Sequence, residues 1–130
     1  MSRWIGLDIG SKWTGIAMTD ELDIVEPRET VKTKDLIKEL KRYKQEYDIE
    51  GVVVGFPLTT KGKVGERAKM VAKITNEIKS ALNFTINLQD ERFTTKEAME
   101  IATQMGKVKD KRLLDRISAT LILKSYLEDN

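Results

Sequence analysis

The sequence of 130 residues contains no histidine and no cysteine. Lack of imidazole excludes a Ser-His-Asp triad and a histidine general base, and lack of thiol excludes disulfides, cysteine nucleophiles and thiolate zinc sites. Any metal must then be a hard ion held by oxygen. The absence of cysteine also fits a reducing compartment. Proline and glycine number only 2 and 8, too few for a linker or a low-complexity segment. The amino terminus has no apolar stretch of signal-peptide length, and nothing later approaches the ~20 apolar residues of a membrane helix. The expected location is the cytoplasm, with no membrane partner. A net charge of +2 gives no global field that would announce a nucleic acid.

What is present suits one globular domain over residues 1–130. Hydrophobic residues make up 40% and charged residues 34%, and a chain of this length buries roughly two-thirds of its unfolded surface. Residues 3–9 and 13–19 read as two strands joined by a Gly-Ser-Lys turn, which implies a hairpin. A third extended piece, 24–31, carries Pro27 and suits a sheet edge. From 35 to 47 the apolar residues Leu36, Ile37, Leu40, Tyr43 and Tyr47 recur at helical spacing, with Thr33 available as a cap. The run Gly51–Phe56 ends at Pro57 and reads as a central strand covered on both faces.

Met70, Val71, Ile74, Ile78, Ala81 and Leu82 mark a second helix, and 84–88 alternates as another strand. Thr94 with Glu97 forms a capping box for a third helix that stops near Gly106. A last helix runs over about 111–127. Three meandering strands, then helix, strand, helix, strand and closing helices, is the order of the ribonuclease H-like fold. The expectation is a five-stranded mixed sheet, an antiparallel meander of strands 1–3 plus two parallel strands, flanked by helices.

Four acids stand at strand ends or in a hydrophobic helix: Asp8, the adjacent Asp90 and Glu91, and Asp115. Carboxylates gathered at one point repel each other, and a divalent cation among them relieves the repulsion. That points to Mg²⁺-dependent phosphate chemistry. Asp8 alternates with Trp4 and Gly6 on its strand, opposite Ile5, Leu7 and Ile9. The glycines beside it leave room for a phosphate; the plainer reading is a turn-starting acid. Asp115 shares a helix face with Ser118, Ala119, Ile122 and Tyr126, and the small residues would let the helix press inward. The plainer reading there is an acid facing the helix dipole. Neighbours on a strand point to opposite faces, so only one of Asp90 and Glu91 is expected as a ligand, with Glu91 preferred and Asp90 the alternate. Basic residues gather in two runs, Lys107, Lys109, Lys111 and Arg112, and Lys61, Lys63 and Arg67. With Lys12 and Arg92 they are candidate phosphate grips, although such runs are commonly solvated surface.

Ile-Gly-Leu-Asp-Ile-Gly-Ser-Lys, Val-Val-Val-Gly-Phe-Pro-Leu, the Gly62–Arg67 loop, Asp-Glu-Arg-Phe-Thr-Thr and the closing Leu-Asp-Arg-Ile-Ser-Ala together resemble the YqgF/RuvX family over nearly the whole chain. Trp13 and Leu114 depart from its pattern without removing an acid. The resemblance implies a ribonuclease H-like nuclease, processing the 5′ end of the pre-16S rRNA or resolving Holliday junctions, with Asp8, Glu91 and Asp115 as its acids. The expected chemistry is phosphodiester hydrolysis with two Mg²⁺ or Mn²⁺ ions about 3.5 to 4 Å apart. A sugar-kinase-like phosphotransferase would need two such domains. A noncatalytic module binding rRNA is a further alternative, and a monomer is slightly favoured over an oligomer.

Overall fold

A computed structural model describes residues 2–57, 65–90, 100–101, 103–104, 106 and 110–129. Five strands form one sheet: β1 (Arg3–Ile9), β2 (Trp13–Thr19), β3 (Val25–Lys32), β4 (Ile49–Phe56) and β5 (Ile86–Asp90). Their order is β3-β2-β1-β4-β5. The first three make the antiparallel meander, and β4 and β5 run parallel to β1. Helices α1 (Leu36–Glu46) and α2 (Glu66–Leu82) lie against one face, and α3 (Lys111–Asp129) against the other. Among the described residues, no helix is long and apolar enough to cross a membrane.

Strand alternation decides which face receives which helix. Ile5, Leu7 and Ile9 of β1, Ile16 and Met18 of β2, and Val52 and Val54 of β4 form one core with Leu36, Leu40 and Tyr43 of α1 and Val71 and Ile78 of α2. Each of these aliphatic side chains is fully buried, worth roughly 1.5 to 3 kcal/mol apiece. On the opposite face Val53 packs with Ile122 and Leu123 of α3. That second face presents glycines to its helix. An ideal Cβ on Gly6 would come within 2.6 Å of the Leu123 Cβ and 2.8 Å of the Ala119 carbonyl oxygen. The backbone of α3 therefore rides directly on β1.

Pro27 sits on the edge strand β3 opposite Ala17, next to a register shift between Ile16 and Ala17, as a residue without an N–H requires. Helix α2 begins at Glu66, directly after Gly65, and buries the stripe Ala68, Val71, Thr75, Ile78 and Leu82. Two expectations shift. Strand β5 covers Ile86–Asp90 rather than 84–88, since pairing with β4 starts at Val52 and Ile86 and ends at Phe56 and Asp90. Thr33 does not cap α1, which follows a 3-10 turn over Thr33–Asp35 without a side-chain cap. Its hydroxyl instead donates to the Gly10 carbonyl at 2.7 Å. The expected Thr94 and Glu97 capping box lies outside the described residues. Gly106, with φ of 73°, ends that stretch in the left-handed conformation typical of a helix terminus.

Candidate active site

Parallel strands direct their carboxyl ends to one edge of the sheet, and β1 delivers Asp8 there. The side chain is only 8% exposed. Asp8 pairs with Gly15 across the β1–β2 ladder, and Gly15 lies under the Asp115 backbone of α3, close enough that a Cβ would collide with the Asp115 carbonyl. The missing side chain at 15 thus lets α3 bring Asp115 over the strand pair that holds Asp8. Ser118 and Ala119, both buried, complete the small-residue seam.

Asp115 does not cap its helix. Asp110 does, its Oδ1 accepting the backbone N–H groups of Arg112 and Leu113 at 3.1 Å each, the usual role of an aspartate at a helix start. Asp115 is left facing inward, one turn further on. Burial first, and then the negative charge of Asp8, raise its carboxyl from 3.8 to about 6 against the opposing pull of Arg67 and Arg116. A carboxylate destabilised by desolvation and by a second carboxylate is the electrostatic signature of a cation site, although a structural acid pair produces it too.

The cation that now serves Asp8 is Arg67. Its guanidinium donates to Asp8 Oδ1 at 3.0 Å from the first turn of α2. Half of the Arg67 side chain remains exposed. The sequence suggested Arg67 as a phosphate grip; in the structure it neutralises the candidate nucleophile-activating acid.

The other suggested residues fall as follows. Asp90 pairs with Phe56, and through Val54 the same face of β4 aligns with Leu7. Asp90 therefore projects from the α1/α2 face, opposite to Asp8. Glu91, Arg92, Lys61, Lys63, Lys107 and Lys109 lie outside the described residues. Lys12 is exposed on the β1–β2 turn and Lys111 on the first turn of α3. Arg112 stacks its guanidinium 4.2 Å from the centre of the Trp13 ring, and its carbonyl accepts the Thr30 hydroxyl at 2.6 Å.

Asp8 and Asp115 supply hard oxygen donors whose mutual repulsion Arg67 offsets only in part, which fits Mg²⁺ or Mn²⁺; such ions use one or two carboxylates and take further ligands from substrate phosphates. Among the described residues, no group of three ligating side chains gathers. Gly15 was the participant the sequence reading passed over. Its signal was available, since an isolated glycine inside a strand marks a close backbone approach.

Comparison with known proteins bears on the fold that carries these residues. The RuvX family, described as "Holliday junction resolvase", matches residues 2–129. A protein of Lachnospira eligens named "Putative pre-16S rRNA nuclease" is 35% identical, covering 97% of this chain and 96% of its own. A protein of Clostridium kluyveri with the same name is 36% identical over the same shares. Among solved structures, Thermus thermophilus RuvC in complex with a Holliday junction substrate superposes with a TM-score of 0.62 at 14% identity, covering 99% of this chain and 96% of that one. The sheet order and flanking helices are those of this ribonuclease H-like fold.

Proposed function

The chain belongs to the RuvX family, and on that premise we propose that it is a metal-dependent nuclease that hydrolyses phosphodiester bonds in structured nucleic acid, processing the 5′ end of the pre-16S rRNA. The observation that carries this reading is the convergence of Asp8 and Asp115 over Gly15, at the edge where the parallel strands end. The names of the curated relatives favour the RNA substrate. The family description and the likeness to RuvC favour a second reading, resolution of four-way DNA junctions by the same site.

In this scheme Asp8 and Asp115 hold the divalent ions, with Glu91 as the further acid. When bound, the ions would supply activation of water and stabilisation of the departing oxygen. The chain's own residues arrange the rest. Sinking Asp8 to near-complete burial limits its screening by bulk water, so a cation that displaces Arg67 meets a strong local charge. Asp115, raised toward neutrality, accepts a cation at the cost of a proton that is already loosely distributed near pH 6. Arg67 holds Asp8 in place until a cation competes for it. No histidine is present to serve as a base, so water must be activated without imidazole.

Purified protein incubated with Mg²⁺ and either a pre-16S rRNA 5′ fragment or a four-way DNA junction tests the proposal. Cleavage of the RNA alone supports the first reading, and cleavage of the junction alone supports the second. Binding of rRNA without cleavage of either would replace both with a noncatalytic role.

A further inference from the structure

Beyond the acids, the turn that follows Asp8 builds a second feature. Ser11, Lys12, Lys32 and Lys34 line a concavity of about 280 Å³. The three lysines come from the β1–β2 turn, the last residue of β3 and the 3-10 turn after it. Thr33 fixes their backbones together. Its N–H donates to the Lys12 carbonyl at 2.9 Å, its hydroxyl donates to the Gly10 carbonyl at 2.7 Å, and the same hydroxyl meets the buried Thr14 hydroxyl at 2.9 Å. Trp13 pairs with Lys32 in the β2–β3 ladder. Among the described residues, no carboxylate forms an ion pair with any of the three lysines. Three lysines thus line one hollow with no ion-pair partner among the described residues, and a phosphate that enters it would meet several ammonium groups at once.

Position selects the anion. Strand β2 leads from Lys12 past Trp13, whose ring carries the Arg112 guanidinium, to Gly15 beneath Asp115. A further cation, Arg112, thus stands beside the short stretch of chain that joins the hollow to Gly15. A small free anion would account for the hollow but not for its place beside Arg112 and the helix that carries Asp115.

We infer that Ser11, Lys12, Lys32 and Lys34 grip a backbone phosphate of the same nucleic-acid strand whose reacting bond lies at Asp8 and Asp115, with the Trp13–Arg112 stack between the two points. The inference rests on the nuclease reading above and adds two residues, Lys32 and Lys34, that the sequence did not single out. It gives Trp13 a role: an aromatic support for Arg112.

The test is fluorescence anisotropy of a labelled RNA hairpin with a single-stranded 5′ extension, over a salt series, using the full chain. Lys32→Ala/Lys34→Ala is compared with wild type and with Lys38→Ala/Lys41→Ala, a charge-matched pair exposed on α1, with thermal melting as the control for folding. The expected result is a slope of log affinity against log salt smaller by about 1.4 to 1.8 for the first double variant, and unchanged for the second. Equal slopes in the two double variants would overturn the inference while leaving the nuclease reading intact. A wild-type protein that does not bind the hairpin, or a four-way DNA junction tried in its place, would overturn both.

Discussion

Replacing Asp115 by asparagine should stabilise the metal-free protein, and only at pH values where the aspartate would be charged. The rise of its carboxyl from 3.8 to about 6 corresponds to roughly 3 kcal/mol at about 1.36 kcal/mol per pKa unit. Asp115 is half-buried, and solvent screening reduces the expressed figure to about 1 to 2 kcal/mol. The folded-state value is raised, so the folded protein holds its proton longer than the unfolded chain does. Stability is then lost as pH rises through the window from about 4 to 6. Below that window the penalty vanishes; above it the penalty is complete. Asparagine carries no charge at any of these values. Urea denaturation with chelator present, repeated at intervals from pH 4 to pH 7, should show wild type and Asp115→Asn nearly equal at the acid end. They should diverge by about 1 to 2 kcal/mol at pH 7, the variant being more stable. A pH-independent difference, or a variant less stable at pH 7, would refute the argument that Asp115 is held against its electrostatic preference.

Two further perturbations probe the same assembly. Gly15→Ala places a methyl group against the Asp115 backbone, and since backbone rather than a flexible side chain must yield, it should cost about 1 to 3 kcal/mol in urea denaturation; an unchanged midpoint would mean that α3 does not ride on β2 as described. Arg67→Gln removes the partner of Asp8 and one of the charges that hold the Asp115 carboxyl down, so carboxyl titration followed by NMR should place Asp115 still higher, and calorimetry should find tighter Mg²⁺ binding because a competing cation has gone. Weaker Mg²⁺ binding would mean that Arg67 organises the site rather than occupying it.

Much of this arrangement was legible in the residues. Alternation in Ile5, Leu7 and Ile9 against Gly6 and Asp8 separated the apolar face of β1 from the one that carries the acid, because successive side chains on a regular strand point to opposite faces. The spacing of Asp115, Ser118 and Ala119 likewise announced an inward-facing acid on a closely packed helix. Pairing partners were less accessible. The role of Thr33 looked local, a helix cap three residues before Leu36, whereas its hydroxyl is taken by Gly10 and Thr14, more than a dozen residues away in the β1–β2 hairpin. Arg67 read as a phosphate grip in a basic run rather than as the partner of Asp8, since nothing in the sequence says that the first turn of α2 passes over the end of β1. Lys32 and Lys34 were invisible for the same reason: their proximity to Lys12 exists only once β3 returns alongside β2. Contacts within an element follow from its period, and contacts between elements follow from topology that the period does not encode.

The reading with most at stake is the joint action of Asp8 and Asp115 as the acids of a metal-dependent nuclease. Its most direct test is cleavage of a pre-16S rRNA 5′ fragment by purified wild type, Asp8→Asn and Asp115→Asn, with Mg²⁺ and with chelator, each variant being shown to melt no lower than wild type without metal. The account predicts cleavage by wild type that requires Mg²⁺ and is lost in both variants. A folded Asp8→Asn protein that cleaves at the wild-type rate would contradict it.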